Sequence, residues 1–215
     1  MKLLSTRQLL AGGALAAVAS SLWWRKHPSA CPYGQRFWVE LPHPLITRSR
    51  LREVLAPVAG ERVLEIGPGT GYYTLDIARW LQPGGELEIF DIQQQMLDHT
   101  LARAREMGVA NVKAACGDAR QLPYPDASFD AVCLTTVLGE IPGQQAALGE
   151  FARVLRPGGR LVVGEVMLDP HWVSPGKLKR GGEAAGLGLV RRCGNPLGYF
   201  ARLERPALAA GQTAA

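Results

Sequence analysis

The sequence predicts an α/β protein on an open, doubly wound sheet that is mostly parallel, with helices on both faces. From residue 62 onward, short apolar runs alternate with stretches of helical period, the pattern that strands and crossover helices write. The last two runs are joined only by Gly194-Asn195-Pro196-Leu197, too short for a parallel crossover, so the final strand is antiparallel. A chain of 215 residues, 47% hydrophobic and 20% charged, supplies a core for one such domain and excludes disordered, collagen-like and polytopic membrane classes.

In chain order, residues 1–26 come first. Their uncharged run, residues 8–24, has 17 residues bracketed by Lys2, Arg7, Arg25 and Lys26. As a helix it would reach roughly 25 Å, slightly less than a hydrocarbon core of about 30 Å. A cleaved signal, a single anchor and a helix lying in the interface all fit, the last two favoured by Trp23-Trp24 at the apolar edge. Residues 27–50, rich in Pro, His and aromatics, show no sustained period and read as a lead-in segment packed on the domain, which itself spans residues 51–205. A short helical pattern, Ile46 to Val58, ends at Pro57 and Gly60. Seven strands follow: Arg62–Ile66, Glu86–Asp91, Val112–Cys116, Phe129–Leu134, Gly159–Val166, Leu187–Cys193 and Gly198–Glu204. Helical patterns fall at Tyr73–Leu81, Gln93–Met107, Gln144–Leu155 and Ser174–Gly186. Residues 206–215, rich in Ala and Gly, read as a frayed tail.

The net charge of +5 is segregated. Residues 1–60 hold 8 basic and 2 acidic residues, 61–165 hold 9 and 14, and 166–215 hold 7 and 3. An acidic middle argues against a nucleic-acid enzyme with a basic stripe, so no nucleic-acid partner is expected; a basic front beside an apolar run suits an anionic membrane surface. Cys31, Cys116, Cys133 and Cys193 form no CxxC pair, so neither a metal site nor a disulfide framework is encoded and a reduced compartment is the simplest reading.

The most informative segment is Val63-Leu64-Glu65-Ile66-Gly67-Pro68-Gly69-Thr70-Gly71. Glycines directly after a first strand allow a tight turn and let a nucleotide-like ligand approach the backbone. Neither frame fits the GxGxxG dinucleotide fingerprint, and no phosphate-cradling GxxxxGK[ST] exists. Asp91 stands 20 residues beyond Gly71 at a strand end, where a carboxylate can accept from both hydroxyls of a ribose.

A GxGxG loop preceded by Glu65 resembles motif I of the class I S-adenosylmethionine-dependent methyltransferases. The segments Cys116-Gly117-Asp118-Ala119, Leu122-Pro123-Tyr124-Pro125-Asp126-Ala127-Ser128-Phe129-Asp130 and Leu155-Arg156-Pro157-Gly158-Gly159 resemble later motifs of that family. The resemblance covers about residues 50–203 and is nearest to the type-11 branch, which includes quinone-biosynthesis C-methyltransferases. It implies a Rossmann-like seven-stranded sheet and S-adenosylmethionine as cofactor. It also assigns Glu65, Gly67, Gly69 and Gly71 to the loop at the amino-acid end of the cofactor, Asp91 to the ribose, and Ile92, Asp118 and Ala119 to the adenine pocket. Thr135 would face the same pocket. Since the family's cofactor is made and used in the cytosol, an anchor or interfacial helix is favoured over export, with the catalytic domain on the cytoplasmic side.

Methyl transfer from a sulfonium needs in-line alignment and water exclusion more than covalent help, so a base matters only where the acceptor must lose a proton. His171 and Glu140 are the candidates, on loops after the fifth and fourth strands; Glu140 matches a position that is often His in the quinone enzymes. Tyr72, Tyr73, the 31–45 segment with Phe37 and Trp38, and the 136–142 and 167–175 loops are candidates for acceptor specificity and suggest a small, apolar acceptor. The absence of an Asn/Asp-Pro-Pro-Tyr/Phe segment argues against amino-methylation of adenine or glutamine. A tRNA or protein methyltransferase, and a non-catalytic or nicotinamide-binding protein, are the competing classes.

Overall fold

The computed structural model describes residues 27–207; the side chains of Trp38 and Val39, the expected membrane-associated run 8–24 and most of the expected tail lie outside that description. The strands are β1 (Arg62–Ile66), β2 (Glu86–Asp91), β3 (Val112–Cys116), β4 (Phe129–Thr135), β5 (Leu155–Val166), β6 (Gly188–Asn195) and β7 (Gly198–Glu204). They form one sheet in the order β3-β2-β1-β4-β5-β7-β6. The first five pair in parallel, while β7 lies between β5 and β6 and runs antiparallel to both. The tight turn expected from Gly194 to Leu197 is what brings Gly198 back opposite Asn195.

The period of two along the central strands sorts their side chains into two apolar layers. Leu64, Ile66, Val132 and Leu134 face a layer completed by Leu148 and Phe151 of helix α5 (Gln144–Val154) and Leu178 of α6 (Pro175–Ala184). Val63, Leu87, Ala131 and Cys133 face the other layer. There they meet Leu51 and Val54 of α2 (Arg48–Leu55), Ile77 of α3 (Thr74–Trp80) and Leu97 of α4 (Gln94–Glu106). Thr47 and Ser174 cap α2 and α6 by accepting from the amides of Arg50 and Lys177, the role for which hydroxyls are favoured at helix starts.

One local reading is corrected. The expected Leu155–Gly159 turn is built into β5: Leu155 pairs with Phe129, the register then shifts so that Arg160 pairs with Ala131, and Gly158 donates to the Arg205 carbonyl at 3.0 Å. It is an irregularity within a strand rather than a loop before one. The lead-in, in which no sustained period is expected, contains a single 3₁₀ turn at Tyr33–Gln35 and the four-residue helix α1 (Phe37–Glu40).

Candidate functional site

The parallel arrangement brings the carboxyl ends of β1, β2 and β4 to one edge of the sheet, and the glycine loop closes over it. Gly67, Gly69 and Gly71 have φ of 64°, 55° and 81°, conformations that cost a side-chain-bearing residue. The Gly67 amide donates to the Phe90 carbonyl at 2.8 Å, and the Thr100 hydroxyl of α4 donates to the Gly69 carbonyl at 2.8 Å. A Cβ on Gly67 would run into the Val137 side chain. The loop is therefore pinned from β2, α4 and the segment after β4 together.

A cavity of about 260 Å³ opens beside it, on the scale of a small-ligand site. Its wall is made by Ile66, Gly67 and Gly69 after β1, Phe90–Gln93 at the end of β2, Gly117–Arg120 after β3, and Thr135–Val137 with Glu140–Pro142 after β4. Of the residues singled out in the sequence, Gly67, Gly69, Asp91, Ile92, Asp118, Ala119, Thr135 and Glu140 are in this wall. Glu65, Gly71 and His171 are not. Glu65 is buried beneath the loop, where it accepts from the Thr74 hydroxyl at 2.6 Å and burial pushes its carboxyl up to about 7. A Cβ on Gly71 would sit 2.9 Å from the Thr100 methyl, so this glycine serves close packing on α4. His171 sits behind the wall, with its carbonyl packed against Gly139 and its amide donating to Asp169 at 2.7 Å.

The wall's carboxyls differ. Asp91 is almost fully buried, and burial raises it to about 6 against the amides of Gln93, Gly69 and Ile92, which donate to it. Asp118 is half-buried and clasped by Arg120 at 3.0 and 2.5 Å, which holds its carboxyl below the ordinary range. Any base bonded by Asp118 has to share it with that guanidinium. Burial, then Asp169, pushes Glu140 up to about 8 despite a hydrogen bond from the Cys31 backbone. Glu165, just behind, is raised to about 8 mainly by burial.

Sequence reasoning missed a strap over the cavity. Pro28–Cys31 complete its wall, and Gln93 holds them there, donating to the Cys31 carbonyl at 2.9 Å while accepting from the Tyr33 amide at 3.1 Å. Nothing in the period of this segment signals it. Tyr73 points the other way: it is buried in the core and donates to the Ile46 carbonyl at 2.5 Å.

Among the described residues no cluster of three or more His, Cys, Asp or Glu could hold a metal ion. The wall does fit S-adenosylmethionine: Asp91, Asp118 and Glu140 face it against one cation, Arg120, which favours a sulfonium, and Ile66, Phe90, Ile92 and Met96 offer apolar flanks to a base.

Comparison with known proteins agrees with this geometry. The family described as "Methyltransferase domain" matches residues 63–159. The chain is 41% identical over 105 residues to the ubiquinone/menaquinone biosynthesis C-methyltransferase UbiE of Azotobacter vinelandii, covering 48% of this chain and 42% of that protein. It is 38% identical over 115 residues to UbiE of Pasteurella multocida, covering 52% and 43%. The chain thus spans less than half the length of these curated relatives. Among solved structures, a SAM-dependent methyltransferase from Aquifex aeolicus superposes with a TM-score of 0.76 at 18% identity, covering 82% of this chain and all of that one. The [4+2]-cyclase SpnF superposes with a TM-score of 0.67 at 23% identity, covering 74% and 80%, so the fold alone does not fix the reaction.

Proposed function

We propose that residues 63–159 form a class I S-adenosylmethionine-dependent methyltransferase domain and that the protein transfers the cofactor's methyl group to a small, lipophilic acceptor by in-line displacement. The observation that carries the reading is the convergence on one cavity wall of Gly67, Gly69, Asp91, Ile92, Asp118, Ala119 and Thr135, residues chosen from four separate segments of the chain. In this reading the cofactor supplies an electrophilic methyl. Asp91 accepts from the ribose, Asp118 and Ala119 bind the adenine edge, and Ile92 covers its face. Glu65 and Gly71 hold the loop rather than the ligand. Glu140, in the same wall, is the residue placed to take a proton from the acceptor; His171 acts, if at all, through Asp169 and Gly139.

The lipophilic acceptor is supported by the apolar flanks of the cavity and by the quinone chemistry named for the UbiE relatives. Residues 8–24 would keep the domain on the cytoplasmic face of a membrane, near such an acceptor. Among the described residues no helix is long and apolar enough to cross a membrane. Calorimetry tests the site: S-adenosylmethionine should bind and NAD should not. Asp91→Ala should weaken cofactor binding by about 2 kcal/mol or more, the scale of a charge-assisted pair of bonds, with an unchanged circular dichroism spectrum. Unaltered affinity in Asp91→Ala would reject the assignment.

A further inference from the structure

We propose that the rim at the carboxyl end of the sheet rests on a lipid bilayer through Leu168, Met167 and Leu197, so that the cavity opens toward the membrane. The proposal rests on the lipophilic acceptor read above and adds the surface by which that acceptor would arrive.

Of the nine large apolar side chains exposed among the described residues, three fall together at one rim. Leu168 is 83% exposed, Leu197 46% and Met167 39%. Val166 pairs with Gly198, which sets the end of β5 beside the start of β7, and the Met167 amide donates to the Leu197 carbonyl at 2.9 Å. The lead-in reaches the same place, since a Cβ on Gly198 would lie 2.6 Å from that of Leu45. From Leu168 the chain runs to His171, which packs behind Gly139, next to Glu140 of the cavity wall. A contiguous apolar strip beside a pocket mouth marks an interaction surface, unlike apolar residues exposed singly.

The occupant follows from the chain that leads here. Pro28 is already part of the cavity wall, so residues 1–26 join the fold at this rim. They carry Lys2, Arg7, Arg25 and Lys26, no carboxylate, and the uncharged run 8–24. Arg50 donates to the Leu45 carbonyl at 2.7 Å and has no carboxylate partner among the described residues. Apolar tips flanked by cations match the acyl–headgroup boundary of a bilayer containing anionic lipid. Two copies face to face would bury the same leucines but oppose like charges.

The full chain should co-sediment with phosphatidylcholine vesicles more strongly when phosphatidylglycerol is included. Deuterium uptake by residues 167–172 should fall on vesicle binding, while uptake at 83–86, at the opposite end of the sheet, stays constant. A Leu168→Glu/Leu197→Glu variant should lose roughly tenfold in partition, as expected when buried apolar area sets binding strength, and should lose the protection at 167–172. Vesicle binding without protection at 167–172, an unchanged partition in the variant, or lipid-independent dimerisation through these leucines would overturn the proposal. S-adenosylmethionine affinity, measured in solution on both proteins, reports separately on the methyltransferase reading and should be equal.

Discussion

Replacing Glu140 with Gln should remove a pH dependence from cofactor binding. Burial, with Asp169 and Asp91 nearby, moves this carboxyl from an ordinary 4.5 up to about 8. At pH 6.5 its neutral form then outnumbers the carboxylate about thirtyfold, so a ligand that demands the ionised form is penalised by about 2 kcal/mol. A sulfonium in the cavity demands it, because the cation and the carboxylate share one poorly solvated space. S-adenosylmethionine affinity should therefore rise with pH, by up to about tenfold per unit below 8, and level off above it, limiting the gain from pH 6.5 to about thirtyfold. S-adenosylhomocysteine lacks the sulfonium charge and serves as the control. Asp91 titrates near 6, below this window. Titration calorimetry between pH 6.5 and 9 is the assay. The reasoning fails if the two ligands show the same pH slope in the wild type, or if Glu140→Gln retains the wild-type slope for S-adenosylmethionine.

Two further substitutions probe the loop. Glu65 is neutral when folded until about pH 7 but ionises near 4.5 when unfolded. The folded state thus binds the extra proton, and stability falls as pH rises from about 4.5 to 7, by about 3 kcal/mol, then stays level. Urea denaturation of Glu65→Gln should show that much less loss across the window; an identical slope would remove the assignment. Gly67→Ala combines a φ of 64° with a collision against Val137. It should cost about 2–3 kcal/mol of stability together with cofactor affinity, and Val137→Ala in the same chain should restore only part, because the backbone strain stays. Full rescue would mean that the collision alone matters.

What was legible in the sequence was local. β1, β2, β3 and β7 run where apolar stretches are bounded by Gly, Pro or a change of period, and their ends match residue for residue. The antiparallel β7 followed from the four residues that precede it. β5 was not legible at its start, since the pairing of Leu155 with Phe129 and the shift after it depend on a strand 26 residues away. The site divides in the same way. Glycines and strand-end carboxylates are readable because backbone geometry and solvation restrict what can stand there. The Pro28–Cys31 strap and the Gln93 hydrogen bonds that hold it arise from groups some 60 residues apart meeting across the fold, and no spacing encodes them. The aromatic pair Tyr72-Tyr73 looked like acceptor lining, yet Tyr73 completes the core against Phe200.

The central claim is that the cavity beside Gly67, Asp91 and Glu140 presents a methyl donor to a lipophilic acceptor. The direct measurement is to incubate the full-length protein with methyl-labelled S-adenosylmethionine and a cell lipid and metabolite extract, then follow the label. Label is expected in a compound that partitions into the organic phase, with none above background for Asp91→Ala. Label confined to nucleic acid or protein, or an equal yield from Asp91→Ala, would contradict it.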